Sequence, residues 1–253
     1  MKKFITNKYI VYALGTVLVF LIWTILSISF DANNMIFPSP IATIKEVGEL
    51  LKKSYTYTCL SYTLKRMVYG FLLSLILAVI FSILASNFNV LYDLFKPLMT
   101  VIKAIPTVTI TYLLIVIIAP KNAPTFVVSV ISFPILYEAF TTGLKNIDRE
   151  VIEASQIDGA SFFIKLIKIK FPLAVSYFLV GIASSFALSF KIEIMAEVLT
   201  GYTRNGVGSS IAAFLNSASD LTSVFAYSFI IIIIVLLFSI LSEIIKALFL
   251  KRK

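Results

Sequence analysis

The chain has 253 residues, of which 59% are apolar, with no histidine and a single cysteine; its mean hydropathy is +0.98. That apolar share exceeds the roughly 45–50% of soluble domains, and the missing histidine and lone Cys59 exclude intrachain disulfides, paired-cysteine zinc sites and Ser-His or Cys-His catalysis. The net charge of +9 is accounted for by basic inner loops and anionic lipid, without invoking nucleic acid.

A bilayer crossing needs about 20 mostly apolar residues. Runs of that length recur and predict one transmembrane domain, 1–253, with six spans at about 9–30, 62–86, 94–119, 125–143, 172–200 and 224–250. Lys2, Lys3 and Lys8 precede the first run, which is too long for a signal-peptide core and has no small-residue cleavage site, so it reads as a retained span. Ser39 and Pro40 supply an N-cap and a first-turn proline for a short amphipathic helix on the outer face, with Ile41, Ile44, Val47, Leu50 and Leu51 at helical spacing. The second span stops at Asn87-Phe88-Asn89. Pro97 and Pro106 interrupt the third and predict a bent helix lining a pathway. A tight outer turn from Pro120 to Pro124 leads into the fourth, which carries Pro134.

With the N-terminus inside, six spans place residues 144–171 and both termini in the cytoplasm. Lys145, Arg149, Lys165, Lys168 and Lys170 then fall inside, against Lys45, Lys52, Lys53, Lys121 and Arg204 in outer connections. The long inner loop has helix signals of its own. Asp148 can cap a helix through Ile157 with Gly159 as its left-handed terminator. Ser161 can cap a second helix through Lys170, before Pro172 breaks the chain and opens the fifth span.

The segment EASQIDGASFFIKLIKIKFP resembles the EAA loop of binding-protein-dependent ABC importer permeases, whose pattern is Glu-Ala-Ala, three residues, Gly, nine residues, then Ile-x-Leu-Pro. Glu153, Ala154, Gly159, Ile169 and Pro172 match; Ser155 replaces the second alanine and Phe171 the leucine. The likeness extends through FPSP at 37–40, FPILYEAFTTGL at 133–144 and AEVLTGYTRNGVG at 196–208, which look like the nitrate, sulfonate and taurine branch, a branch that includes permeases for thiamine-precursor pyrimidines. LAVIFSILASNF at 77–88 lacks the glycines many members carry there.

The resemblance implies an all-α, type I importer permease in a bacterial cell membrane. Its loop, with Glu153, Ala154, Ser155, Asp158, Gly159 and Pro172, would dock on a separate ATP-binding subunit present in two copies. That subunit would hold ATP and Mg, leaving this chain without cofactor, metal or catalytic activity. The chain itself has no Gly-x-x-x-x-Gly-Lys-Ser/Thr phosphate loop. With one such loop per chain, two copies of this chain in a homodimer, or one copy with a paralogue, are expected to form the pore, together with an external substrate-binding protein. Gly206-Val207-Gly208 resembles the Gly-Leu-Gly signature of the branch, so Arg204, Gly206 and Gly208 are expected at the contact with that protein.

Charged residues inside spans are costly and are functional candidates. Lys103, Glu138, Lys191, Glu193 and Glu197 are such residues. Glu193 and Glu197 lie four apart on one helical face, so an ion pair there requires Lys103 or another helix. Lys103, Pro106, Glu193 and Glu197 are therefore expected along the translocation pathway. The alternative from another class is an ion-coupled secondary transporter using Glu193 or Glu197.

Overall fold

The structure, a computed structural model, describes residues 8–30, 37–201, 205–217 and 221–250. These form helices and no strands among the described residues: α1 Lys8–Phe30, α2 Pro40–Lys52, α3 Ser54–Asn87, α4 Asn89–Ala104, α5 Thr107–Ile118, α6 Ala123–Lys145, α7 Arg149–Ile157, α8 Phe162–Thr200, α9 Val207–Ser217 and α10 Leu221–Leu250. Five helices (α1, α3, α6, α8 and α10) are long and apolar enough to cross a membrane. The predicted third span is instead a broken pair, α4 and α5, bent by 97°. Its cause is local: Pro106 has no N–H and pushes Ile105 into an extended conformation (φ −72°, ψ 127°). Pro97 and Pro134, by contrast, sit within continuous helices.

Helix α6 is the centre of the bundle, packed between α3 and α8. The approach is close because glycine stands where a side chain would collide. A Cβ on Gly70 of α3 would meet the Thr125 carbonyl and come within 2.9 Å of the Val128 Cβ on α6, and one on Gly181 of α8 would lie 2.5 Å from the Ala139 Cβ. Small residues at crossings let backbones pack without a hydrophobic drive between helices in lipid. Phe71, Val127, Val128, Leu136, Phe140 and Phe190 fill the interior, while Ile76, Leu98, Val116, Ile232 and Leu237 point outward as a lipid-facing surface. Helix α1 stands at the edge, tied where Trp23 Nε1 donates to the Pro38 carbonyl (3.0 Å) and Ser27 Oγ to that of Phe37 (2.8 Å).

The predicted outer helix is α2, with the Ser39 hydroxyl accepting from the Ala42 N–H and Pro40 in its first turn. Helix α3 starts at Ser54 rather than near 62. Two further differences bear on function. The chain does not break at Pro172: α8 runs unbroken from Phe162 to Thr200, with a π-helical turn at Lys165–Lys170 in which the Phe171 N–H donates to Leu166 five residues back. A widened turn separates the proline ring from the carbonyl it would otherwise strike, so the helix bends around the residue instead of ending. The connection after α8 also contains helix α9.

Candidate functional site

Two clusters of predicted residues lie at opposite ends of α8. At its start, α7 projects from the bundle as a short helix. Asp158 is its C-cap and Gly159 follows at φ +71°. The Gly159 N–H donates to Gln156 and the Ala160 N–H to Ser155, both at 3.0 Å. This is the Schellman pattern, in which a left-handed glycine satisfies the last carbonyls of the helix. Ser161 then starts α8, its hydroxyl accepting from the Ile164 N–H (3.5 Å). Lys170 Nζ donates to Asn87 Oδ1 at 2.8 Å and Leu166 is buried, which fixes the loop against the end of α3.

On α7, Glu153 and Ala154 are exposed, but Ser155 is buried, its hydroxyl donating to the Ile152 carbonyl. The expected Ala154-Ser155 docking face is thus halved: Ser155 turns toward its own chain because its carbonyl and hydroxyl are both used in ending the helix. Glu153 pairs with Arg149 one turn earlier (2.7 Å), an exposed contact worth a few tenths of a kcal/mol that a partner can displace. Beside it, Ile157 is 86% and Phe163 69% exposed. These large apolar side chains stand on a polar loop, where no lipid tail is needed to explain them if a protein covers them.

At the far end of α8, Glu197 is fully buried and bonded on both oxygens. Arg66 Nη1 lies 2.8 Å from Oε1, the Thr63 hydroxyl donates to both oxygens (2.9 and 3.1 Å), and the Gly208 N–H donates to Oε2 (2.9 Å). The Thr63 hydroxyl in turn accepts from the Val207 N–H at 2.9 Å. Val207 and Gly208 open α9, so a carboxylate from α8 and a hydroxyl from α3 satisfy two of its free N-terminal amides. Negative charge is favoured at that end of a helix dipole. Gly206 and Gly208 are buried against this carboxylate: a Cβ on Gly206 would come within 2.6 Å of Glu197 Oε2, and one on Gly208 would strike the Ile194 carbonyl.

Gly206 and Gly208 are thus buried, where they admit the Glu197 carboxylate. Arg204 lies outside the described residues. Glu197 sits at the helix junction of α3, α8 and α9. Glu193, one turn earlier, is also fully buried, and neither of its oxygens has a hydrogen-bond partner among the described residues. Lys103 lies elsewhere, on α4, with its Nζ 2.6 Å from Glu138 Oε1 on α6, both about half exposed; Pro106 marks the α4–α5 break. Sequence reasoning missed Arg66, the partner of Glu197. The available signal was a basic residue within the predicted second span, which is costly in lipid unless paired.

Comparison with known proteins matches residues 70–253 to the family described as binding-protein-dependent transport system inner membrane component. A stretch of 66 residues is 38% identical to the glucose import system permease protein GlcT of Saccharolobus solfataricus, covering 26% of this chain and only 23% of that protein. The Bacillus subtilis protein that carries the name aliphatic sulfonates transport permease protein SsuC is 21% identical over 192 residues, 75% of this chain and 68% of the other. Among solved structures, a chain of the MetNI methionine ABC transporter in inward facing conformations superposes with a TM-score of 0.61 at 16% identity, over 76% of this chain and 93% of that one. With a bundle of apolar helices and a family match spanning its whole central and C-terminal part, the chain belongs to the inner membrane components of binding-protein-dependent transport systems, the multi-pass permeases of ABC importers.

Proposed function

We propose that this permease moves a small anionic solute, of sulfonate, nitrate or similar character, delivered by an external binding protein, and that α7 transmits the ATP-driven stroke of two ATP-binding subunits that carry ATP and Mg. Two copies of the chain form the path. The observation that carries this reading is the α7 loop: a rigid, exposed helix closed by Gly159, presenting Glu153, Ala154 and Ile157, and fastened to α3 through Lys170 and Asn87. A loop that must transmit force needs both an exposed face and a fixed base. The substrate class is supported by the SsuC likeness and by the basic charge of Lys96 and Lys145.

The test is co-purification with a candidate ABC ATP-binding subunit, followed by transport in proteoliposomes. Gly159→Val places a β-branched residue at φ +71°, a conformation that costs an L-residue about 1–2 kcal/mol or more. The expected result is retained membrane insertion with loss of ATPase association or of ATP-dependent uptake. Uptake driven by an ion gradient without nucleotide would overturn the proposal.

A further inference from the structure

A groove of about 430 Å³ lies between α4 and α6. It is at the same end of the bundle as α7, since Lys145 on its rim donates to Asn89 Oδ1 (3.3 Å) next to the α3 terminus that holds Lys170. Tyr92, Lys96 and Met99 line it from α4 at one-face spacing; Tyr137, Thr141 and Lys145 do so from α6.

Three features of this lining point to one ligand chemistry. The Tyr137 and Thr141 hydroxyls are buried, each residue 2% exposed; they lie near one another across one helical turn, and neither meets any further hydrogen-bond partner among the described residues. Buried hydroxyls are ordinarily fully bonded, so a pair in a cavity wall that has only one another, with a hydroxyl hydrogen to spare, calls for an acceptor. Lys145 stands 3.5 Å over the Tyr92 ring, and the exposed Lys96 is one turn along the same helix. The single carboxylate in the lining, Glu138, is already neutralised by Lys103 at 2.6 Å. A cation would meet two ammonium groups here, and a neutral solute would leave both without a counter-charge.

We propose that this groove is a binding site for a small tetrahedral oxyanion (a sulfonate, sulfate or phosphate group), held by Lys96 and Lys145 with the Tyr137 and Thr141 hydroxyls donating from the wall. The proposal deepens the importer reading by giving the anionic solute a resting place near the α7 end. It rests on that reading for its physiological role, whereas binding is measured without transport.

The test uses the full-length chain in phosphatidylcholine nanodiscs, titrated calorimetrically with sulfate and with ethanesulfonate at constant ionic strength. Saturable binding is expected, weakened about tenfold by Lys96→Gln and by Lys145→Gln, the size of one charged contact. Tyr137→Phe should weaken it about threefold. Helical circular dichroism and melting of the variants control for folding. A parallel set of discs containing phosphatidylglycerol, with retained lipid counted by native mass spectrometry, separates the two sources of such a group. Sulfate saturation in neutral discs assigns the site to a free anion. Lysine-dependent phosphatidylglycerol retention, displaced by sulfate, assigns it to a lipid headgroup. Binding unchanged in both lysine variants, or neither anion binding nor lysine-dependent lipid retention, overturns the proposal. Failure of the importer reading would appear separately, as absent ATP-dependent uptake with anion binding intact.

Discussion

Replacing Glu197 by glutamine keeps the shape of the side chain and removes its charge. The structure gives the cost. Arg66, whose side chain is only 15% exposed, is left with no counter-charge at 2.8 Å, and the new amide presents N–H groups where Thr63 and Gly208 now donate. Breaking one side of a buried pair costs about 3–5 kcal/mol, and the partial exposure of Arg66 places this one near 3 kcal/mol. The loss falls on the junction of α3, α8 and α9, so amide exchange in residues 205–217 should accelerate by about two orders of magnitude while that of α6 stays slow. Hydrogen exchange read by mass spectrometry on the purified chain measures this. Adding Arg66→Met to Glu197→Gln should restore part of the protection, because an apolar replacement of the whole pair removes the stranded charge. Exchange in 205–217 within threefold of the parent would refute the reasoning, as would a double variant that exchanges faster than either single one.

Gly70→Val on α3 drives a branched side chain into the Thr125 carbonyl and Val128; overpacking of this kind costs about 1–3 kcal/mol, seen as a lower melting temperature of the purified protein. Lys103→Met removes a half-exposed pair and should cost under about 1 kcal/mol. That difference should shrink further in concentrated salt, where the pair is screened.

The long apolar helices and the Gly159 turn were legible in the sequence because hydropathy and left-handed glycine are local signals. Ser39, Asp148 and Gly159 stand at helix ends where turn chemistry places them, although the Asp148 side chain makes no capping hydrogen bond. The Glu197 cluster was not legible, because it joins residues 131 and 134 positions apart in the chain, and nothing in the local pattern of Arg66 or Thr63 names Glu197. Helix α9 left a trace in Val207, Ile211 and Phe214, spaced for one face, but Gly206 and Gly208 at its start stood out only as a signature resemblance. Their actual role is to leave room for a carboxylate. Pro172 misled for a different reason: proline forbids an ordinary helical turn, and the rule carries no information about a wider one.

The unbroken α8 has a mechanical consequence. Its 39 residues make a rod of about 58 Å at 1.5 Å per residue, with the α7 loop at one end and the Glu197 fastening at the other. A torque applied at Phe162 reaches Glu197 without crossing a hinge, except through the widened turn at Lys165–Lys170. That turn holds one residue more than an α-helical turn closed by the same bond. It is therefore the one stretch of the rod where the regular α-helical hydrogen-bond ladder is interrupted, so bending between the loop and the Glu197 fastening concentrates there.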